Sequence, residues 1–197
     1  MRLVLASRNH HKLEELRSLL DSHEVVALPE RIELPPETGD SFAANAVPKA
    51  RAAATATGLA AIADDSGIEA ASLGGAPGVR SARFAGEGAS DEANLDKLLR
   101  EVATRADRRV AYVCALAYAG EAGEERVFEA RCEGELAQAP RGSGGFGYDP
   151  AFLPADAPDG RTMAELRADE KAAISHRGRA ARALLAWLDG EADGCGR

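Results

Sequence analysis

Two adjacent carboxylates stand out in the segment ADDSG, where Asp64 and Asp65 follow the apolar run GLAAIA. The apolar run predicts a buried strand, and two acids at the end of a buried strand would repel each other. Asp, Ser and Gly are common in turns, so these five residues alone favour a solvated turn. The alternative is a site for a divalent cation, because a bound cation reverses the charge balance around neighbouring acids.

A third acid, Glu37, lies in the Pro-rich segment PERIELPPETG. A single acid in such a loop is usually solvated, and it gains interest only if the loop folds towards Asp64 and Asp65. Three carboxylates around one point would suit Mg²⁺, which prefers oxygen ligands and keeps several waters when it binds a phosphate substrate. The acids of these two segments therefore form a candidate Mg²⁺ site.

The segment SRNHHK, from Ser7 to Lys12, lies between a strand pattern and a helix pattern. Loops at the carboxyl ends of strands commonly bind ligands in α/β proteins, and a helix N-terminus attracts phosphate. Ser7 and Asn9 would add hydrogen-bond donors, and Lys12 would add a positive charge. Ordinary capping of the helix by Ser7 or Asn9 explains the segment equally well. His10 and His11 have no zinc-site spacing and are expected to face solvent.

Two later segments carry aromatic and basic residues. Phe146 and Tyr148, in the glycine-rich segment GSGGFGYDP, could stack on a flat base or fill the local core. The glycines of this segment permit a close backbone approach to a ligand. Lys171, His176 and Arg177 follow in DEKAAISHRG, and each taken singly is typical of a surface or structural residue. Together they predict the local basic pocket that a polyanionic ligand would need in an acidic chain.

An alternation of strands and helices would position these residues. Its first half consists of a strand at RLVLA, a helix at KLEELRSLL, a strand at VVAL and a long Ala-rich helix. The Ala-rich helix is expected to end at Gly58, because glycine is common just beyond helix C-termini. Pro48 is expected to kink or split this helix. The pattern predicts an α/β fold.

The second half of the chain adds helices and a long hairpin. Ser90 is a natural N-cap for a helix at SDEANLDKLLREVATR, and the segments RVAYVCALAYA and ERVFEARCEGEL predict a β-hairpin. Thr162 and Glu165 have capping-box spacing, and SHRGRAARALLAWLDG predicts a last helix that frays from Glu191. No boundary between independent domains is visible, so residues 1–197 are expected to form one domain or two closely joined lobes.

The composition limits the possible classes of protein. The 197 residues include 24 basic and 32 acidic residues, for a net charge of −8, which argues against bulk binding of nucleic acid. Cys114, Cys132 and Cys195 show neither disulfide nor zinc spacing and are expected to be reduced. The sequence has no signal-peptide pattern and no apolar run long enough to cross a bilayer. We therefore expect a cytoplasmic protein that has no membrane partner.

Five motifs together resemble one enzyme family. The segments SRNHHK, ADDSG, GGAPGVRSARF, GGFGYDP and EKAAISHRG are similar, in the same order, to signatures of the inosine triphosphate pyrophosphatase family. The resemblance extends from about Leu3 to Trp187, which is nearly the whole chain. Five motifs in order are far more specific than any one of them.

The resemblance implies a fold and an activity. The fold would be α/β, with a long twisted mixed β-sheet flanked by helices and two lobes that enclose a central nucleotide cleft. The protein would be a homodimer. The activity would be Mg²⁺-dependent hydrolysis of purine nucleoside triphosphates, namely ITP, dITP and XTP, to the monophosphate and pyrophosphate. This reaction would clear deaminated purines from the nucleotide pool.

The same resemblance implies roles for individual residues of this chain. Asp65 would be the catalytic base and a metal ligand, and Glu37 would be the second metal ligand. The residues that would hold the triphosphate are Ser7, Arg8, Asn9, His10, His11 and Lys12. The residues that would contact the nucleotide and its base are Ser66, Phe146, Gly147, Tyr148, Asp149, Lys171, His176 and Arg177.

Two residues depart from the family pattern, and two alternative functions remain. Arg8 stands where a small residue is common and would either contact phosphate or narrow the loop, and Pro48 is unusual in its helix. A Maf-like pyrophosphatase would act on other nucleotides, but the FGYDP and SHR segments speak against that class. A nucleotide sensor on the same fold would not need its acids, whereas ADDSG and Glu37 are both present.

Overall fold

A β-α-β unit opens the structure, which is a computed structural model that describes residues 1–157 and 159–194. Strand β1 (Arg2–Leu5) is followed by helix α1 (His10–Leu19) and strand β2 (Glu24–Ala27), as the sequence predicts. The aliphatic residues of β1 are buried. The polar loop between β1 and α1 therefore begins where a core strand ends.

The long Ala-rich helix α2 (Phe42–Thr57) continues through Pro48 without being split. The Ser41 side chain caps its N-terminus, and Gly58 ends it in the left-handed conformation, with φ at +67°. Proline removes one helical hydrogen bond, whereas the many alanines of α2 have the highest helix propensity of all residues. The predicted C-terminal cap is confirmed; of the two outcomes expected at Pro48, the split is wrong and the kink stays a prediction.

Strand β3 (Ala61–Ala70) is longer than the apolar run that predicts it. Asp64 and Asp65 lie inside this strand, and both are buried. The interpretation of ADDSG as a solvated turn is therefore wrong. The glycine of this segment has a packing reason, because a Cβ atom at Gly67 would collide with the side chain of Ser81.

The rest of the chain contains the predicted helices and hairpin strands, together with a short strand, β6, that was not predicted. Ser90 caps α3 as expected. The Thr162 N–H donates to the Glu165 carboxylate at 2.8 Å, although this capping box opens a 3₁₀ turn and not an α-helix. The elements are α3 (Asp91–Ala103), β4 (Arg109–Ala119), β5 (Glu125–Leu136), β6 (Phe152–Pro154), α4 (Ala168–Ile174) and α5 (His176–Gly194), with 3₁₀ turns at Ala71–Leu73, Gly78–Arg83, Asp149–Ala151 and Met163–Glu165.

The end of α5 differs from the prediction. Fraying was expected from Glu191, whereas the helical backbone continues to Gly194. Residues 195–197, which were also expected to fray, lie outside the described part of the chain.

Six strands of the described chain form one mixed sheet in the order β2-β1-β3-β4-β5-β6. Strand β1 is parallel to β2 and to β3, whereas β6 is antiparallel to β5. Strands β4 and β5 are neighbours, as the predicted hairpin requires. The predicted long mixed sheet is confirmed, and the nucleotide cleft stays a prediction.

The chain divides into two compact units, each built from separate stretches of sequence. The first unit contains Met1–Asp65, Cys114–Ala130 and the chain from Arg177 onward, and the second contains Ser66–Val113 and Arg131–His176. The chain passes from one unit to the other inside β3, β4 and β5 and after the first residue of α5.

Each unit has an apolar core of its own. Buried residues of the first core include Leu3, Leu16, Ile62, Leu116 and Leu184. Buried residues of the second core include Ile68, Leu98, Tyr112, Phe152 and Met163.

The cysteines of the described chain are structural. Cys114 lies in the first core and Cys132 in the second, and both are buried and reduced, as expected. Cys195 lies outside the described residues. Among the described residues, no helix combines the length and the apolar character that a membrane crossing would need.

Candidate active site

Asp64 is the centre of a buried ion-pair network in the first unit. Its carboxylate accepts a hydrogen bond from Nε of Arg177 at 3.0 Å and pairs with Nζ of Lys12 at 2.5 Å. The Cys114 thiol donates to the same carboxylate at 3.2 Å, and Arg177 also pairs with Glu15. Side chains from α1, β4 and α5 therefore converge on one residue of β3.

The network keeps Asp64 ionised. Burial by itself would raise the pKa of Asp64, but the charges of Arg177 and Lys12 hold that pKa well below its usual range. Removing one partner of a buried ion pair leaves the other charge uncompensated. Asp64 is therefore suited to hold Lys12 and Arg177 in place.

Asp65, the next residue of β3, has a different set of partners. Adjacent side chains of a strand point to opposite faces of the sheet, which accounts for the difference. Oδ2 of Asp65 accepts a hydrogen bond from Nδ2 of Asn45 at 3.0 Å, and Oδ1 lies 3.6 Å from Nζ of Lys49. The same Nζ lies 2.5 Å from Oε1 of Glu37. Asp65 and Glu37 thus approach one positive charge.

This pair of carboxylates is chemically suited to Mg²⁺. The Nζ of Lys49 stands between the carboxylate oxygens of Glu37 and Asp65, where a cation is already favoured. No group of three His, Cys, Asp or Glu side chains forms a metal site within residues 1–157 and 159–194, so Asp64 does not join the other two acids. Mg²⁺ needs only one or two carboxylates when substrate phosphates and water complete its shell.

The surroundings of Asp65 also suit proton transfer. Burial raises the pKa of Asp65, the positive charge of Lys49 lowers it and the charge of Glu37 raises it again, with a net upward shift. A carboxylate with a raised pKa is a better proton acceptor, because its conjugate acid is weaker. The two adjacent acids therefore differ in electrostatics as well as in partners.

Ser7 and Asn9 cap helix α1. Oδ1 of Asn9 accepts a hydrogen bond from the Lys12 N–H at 3.2 Å, and Oγ of Ser7 accepts one from the Asn9 N–H at 3.1 Å. The capping interpretation is therefore confirmed. Both side chains act as acceptors in these contacts, so their hydroxyl and amide protons can still donate to a ligand. His10 and His11 are exposed, as expected.

The hydrogen bonds of Arg8 go to a neighbouring loop of the protein. Its guanidinium donates hydrogen bonds to backbone carbonyls of the segment 28–32, with the shortest at 2.7 Å to Ile32 and another at 2.9 Å to Leu28. Pro29 and Glu30 accept two more, at 3.1 and 3.0 Å. These bonds tie the start of the Pro-rich loop to the loop before α1, so the contacts favour an anchoring role for Arg8.

Replacing Arg8 by methionine is expected to loosen the segment 28–32 without removing affinity for phosphate. Loss of hydrogen bonds from a charged donor should lower the free energy of unfolding by about 1–3 kcal/mol and speed amide hydrogen exchange in this segment. Arg31→Met is the matched control, because it removes an exposed charge from the same segment. A loss of about tenfold in affinity for inorganic pyrophosphate, at unchanged stability, would instead assign Arg8 to phosphate binding.

Asp149 is the centre of a second buried network, in the second unit. Its Oδ2 accepts hydrogen bonds from Nζ of Lys171 at 2.7 Å and from the Phe146 N–H at 3.0 Å. Burial, followed by the charge of Asp149 and a hydrogen bond to it, raises the pKa of Tyr112 well above its ordinary value. Asp149 therefore orders the glycine-rich loop and fixes the position of Lys171.

The residues of the glycine-rich loop have different environments. Tyr148 is buried in the second core and donates its hydroxyl to the Ser81 carbonyl at 2.8 Å, so it fills the core and is poorly placed to stack on a base. Phe146 is half-buried, and Nζ of Lys171 lies 5.3 Å from its ring centre. Phe146 is thus the ring of this loop that suits stacking. Gly147 adopts a φ of +64°, which favours glycine.

His176 and Arg177 are adjacent at the start of α5, but they belong to different units. The His176 ring stacks on Tyr112, with 4.6 Å between ring centres and 7° between planes. Arg177 is 2% exposed and donates to the carboxylates of Asp64 and Glu15. These contacts favour an anchoring role for Arg177 over the base-binding role that the resemblance implies, and the single basic pocket stays a prediction.

Two residues at this site, Lys49 and Asn45, were not among the residues predicted. Phe42, Ala46 and Ala53 mark the buried face of α2, and a spacing of three to four residues places Asn45 and Lys49 on that same face. Polar side chains on the apolar face of an Ala-rich helix are the signal that could have identified both. Ser66, which was predicted, is half-buried directly after Asp65.

Comparison with known sequences identifies related proteins. The sequence model of the Ham1 family matches residues 3–187. A dITP/XTP pyrophosphatase of Streptomyces coelicolor is 50% identical over 192 residues, which cover 93% of this chain and 95% of the relative. A dITP/XTP pyrophosphatase of Symbiobacterium thermophilum is 50% identical over 191 residues, which cover 95% of this chain and 94% of the relative.

Two solved structures have the same fold. The Staphylococcus aureus Ham1 protein has a TM-score of 0.86 and 41% sequence identity, covering 97% of this chain and 100% of that protein. A HAM1 protein from Coxiella burnetii has a TM-score of 0.86 and 41% identity, covering 96% of this chain and 99% of that protein. The predicted fold class is therefore confirmed.

Proposed function

Since the chain belongs to the Ham1 family, we propose that it hydrolyses non-standard purine nucleoside triphosphates to the monophosphate and pyrophosphate. The substrates would be dITP, XTP and ITP, and the cellular role would be the removal of deaminated purines. Relatives that match nearly the whole chain are named dITP/XTP pyrophosphatases. The observation that carries the proposal is the pair of Glu37 and Asp65, whose carboxylates meet at one positive charge.

Glu37 and Asp65 would hold Mg²⁺ together with the triphosphate. Bound Mg²⁺ would neutralise charge on the phosphate oxygens and would lower the pKa of a water molecule that it binds. Asp65 would also accept the proton of the attacking water. The water oxygen would bond to the phosphorus that carries the nucleoside, the bond from this phosphorus to the next bridging oxygen would break, and pyrophosphate would leave.

Two lysines support binding of the triphosphate. Nζ of Lys12 lies 3.2 Å from the backbone carbonyl oxygen of Asp64, and Nζ of Lys49 lies 3.4 Å from the same oxygen. Two ammonium groups therefore converge beside the acids of β3, in a chain whose net charge is −8. The N-terminus of α1, with Ser7 and Asn9, would add donors to the same phosphates.

We assign the purine base to Phe146, Lys171 and His176. The half-buried ring of Phe146 would stack on the base, and Asp149 would keep Lys171 beside that ring. Inosine and xanthine carry an acceptor oxygen at position 6, where adenine carries a donor. With adenine in the site, the hydrogen-bond donors that would pair with this oxygen would have no acceptor. The homodimer that the resemblance implies and the cytoplasmic location that the sequence predicts stay predictions.

Purified protein is expected to release pyrophosphate, and not orthophosphate, from dITP and XTP in the presence of Mg²⁺, and EDTA is expected to stop the reaction. Because two buried hydrogen bonds would be lost with adenine, kcat/KM for ATP should be lower than kcat/KM for dITP by about a hundredfold or more. Binding without release of pyrophosphate would favour a nucleotide sensor. Orthophosphate as the product would contradict the proposed reaction, and full activity in EDTA would contradict the Mg²⁺ requirement.

A further inference from the structure

We propose that Asn45 is a positioning residue that holds Asp65 and the loop carrying Glu37 in one arrangement, an inference that rests on the proposed function. Asn45 is 3% exposed. Its Nδ2 donates to Oδ2 of Asp65 at 3.0 Å, and its Oδ1 accepts from the Gly39 N–H at 2.7 Å. One planar amide thus joins β3 to the loop at a point two residues beyond Glu37.

The packing around Gly39 shows how closely this loop approaches α2. A Cβ atom at Gly39 would lie 2.7 Å from Cβ of Ala44 and 2.8 Å from Oδ1 of Asn45. Both distances are too short for any other residue type unless the loop shifts. The loop therefore passes directly over the amide of Asn45, and its position depends on that contact.

Asn45 and Lys49 connect the two acids in different ways. They lie one helical turn apart on the same face of α2. Lys49 contributes a charge at the end of a flexible stem, which attracts Glu37 and Asp65 without fixing their orientation. Asn45 contributes a donor and an acceptor at fixed positions on one rigid amide. Orientation of the Asp65 carboxylate relative to the loop therefore depends on Asn45 more than on Lys49.

The same local motif occurs at the start of α3 and provides a matched comparison. The segments SFAAN and SDEAN both begin with a capping serine, Ser41 or Ser90, and end with a buried asparagine, Asn45 or Asn94. Each asparagine accepts a hydrogen bond at 2.7 Å from an N–H of the preceding loop. The Asn94 amide donates to the backbone carbonyl of Ala82 at 3.1 Å, whereas the Asn45 amide donates to a carboxylate.

The paired variants Asn45→Ala and Asn94→Ala separate positioning from stability. Each removes two hydrogen bonds of a buried asparagine, so both should lower the melting temperature to a similar extent. At saturating Mg²⁺ and dITP, kcat should fall by about tenfold or more in Asn45→Ala, the loss that corresponds to one hydrogen bond to a charged group. In Asn94→Ala, kcat should stay within about twofold of wild type. Equal kcat values in the two variants would overturn the proposal.

Asn45→Asp separates the two hydrogen bonds of Asn45. It keeps an acceptor for the Gly39 N–H but replaces the amide donor by an oxygen. Amide hydrogen exchange in residues 33–40 should be faster in Asn45→Ala and remain slow in Asn45→Asp, while kcat falls in both. Wild-type exchange in Asn45→Ala would overturn the link to the loop. If wild-type protein releases no pyrophosphate, the proposed function fails, and the exchange measurement still tests the link.

Discussion

Replacement of Asp65 by asparagine is expected to reduce pyrophosphate release by about a hundredfold to ten-thousandfold, the contribution typical of a general base. Asparagine has the same size and can still accept the hydrogen bond from Asn45, so the packing of β3 should be preserved. It cannot take the proton of the attacking water, and its neutral side chain would weaken binding of Mg²⁺ beside Glu37. The measurement is kcat for dITP over a range of Mg²⁺ concentrations.

The stability of Asp65→Asn serves as the control for this result. Lys49 keeps Glu37 as a partner in the variant, so thermal unfolding followed by circular dichroism should change little. Turnover close to that of wild type would show that Asp65 is not the base. Glu37→Gln would then be the next variant to measure, since Glu37 approaches the same positive charge.

Replacement of the neighbouring Asp64 by asparagine is expected to have its main effect on stability. The free energy of unfolding should fall by about 3–5 kcal/mol, because the variant removes the buried carboxylate that Lys12 and Arg177 share. The Arg177 side chain is 3% exposed and the Asp64 side chain is fully buried, and Lys12 loses its carboxylate partner as well. Urea unfolding should therefore show a large loss of stability in Asp64→Asn and a small one in Asp65→Asn, although the two residues are adjacent in the sequence.

A surface pair provides the control for Asp64→Asn. Hydrogen bonds from Arg109 lower the pKa of Asp107 to about 2, but the Arg109 side chain is 74% exposed, and exposed ion pairs contribute little to stability. Asp107→Asn should therefore lower the free energy of unfolding far less than Asp64→Asn does. Adding Arg177→Met to Asp64→Asn should restore part of the lost stability, because it removes a buried guanidinium that keeps only the partly exposed Glu15 as a carboxylate partner. Wild-type stability of Asp64→Asn would contradict the anchoring role.

Local patterns in the sequence were sufficient to predict most of the scaffold. Helix α3 follows from Ser90 as its cap and from the spacing of Leu95, Leu98 and Val102, all of which are buried. The end of α2 follows from Gly58, because few other residue types adopt its conformation easily. In both cases the signal lies within a few residues of the element that it determines, so a single sequence contains it.

The partners of the acids could not be predicted in the same way. The residues next to Asp64 favour a turn, whereas its cationic partners Lys12 and Arg177 lie 52 and 113 residues away. Those contacts keep Asp64 inside β3 against its local preference. The same limit applies to Arg177, because its place as the arginine of SHR says nothing about a carboxylate 113 residues away. The residue pattern grouped Glu37, Asp64 and Asp65 as one candidate site, and only the family resemblance singled out Asp65 and Glu37.

The separation of Asp64 from Arg177 has a consequence for synthesis on the ribosome. The nascent chain contains Asp64 113 residues before its guanidinium partner. At translation rates of about 5–20 residues per second this interval lasts roughly 6 to 23 s. During that time burial of the Asp64 carboxylate would lack its strongest compensation, so β3 should remain accessible to water. We expect the first unit to close only after α5 has left the ribosomal tunnel, and a nascent chain that stops before residue 177 should expose β3 to proteases.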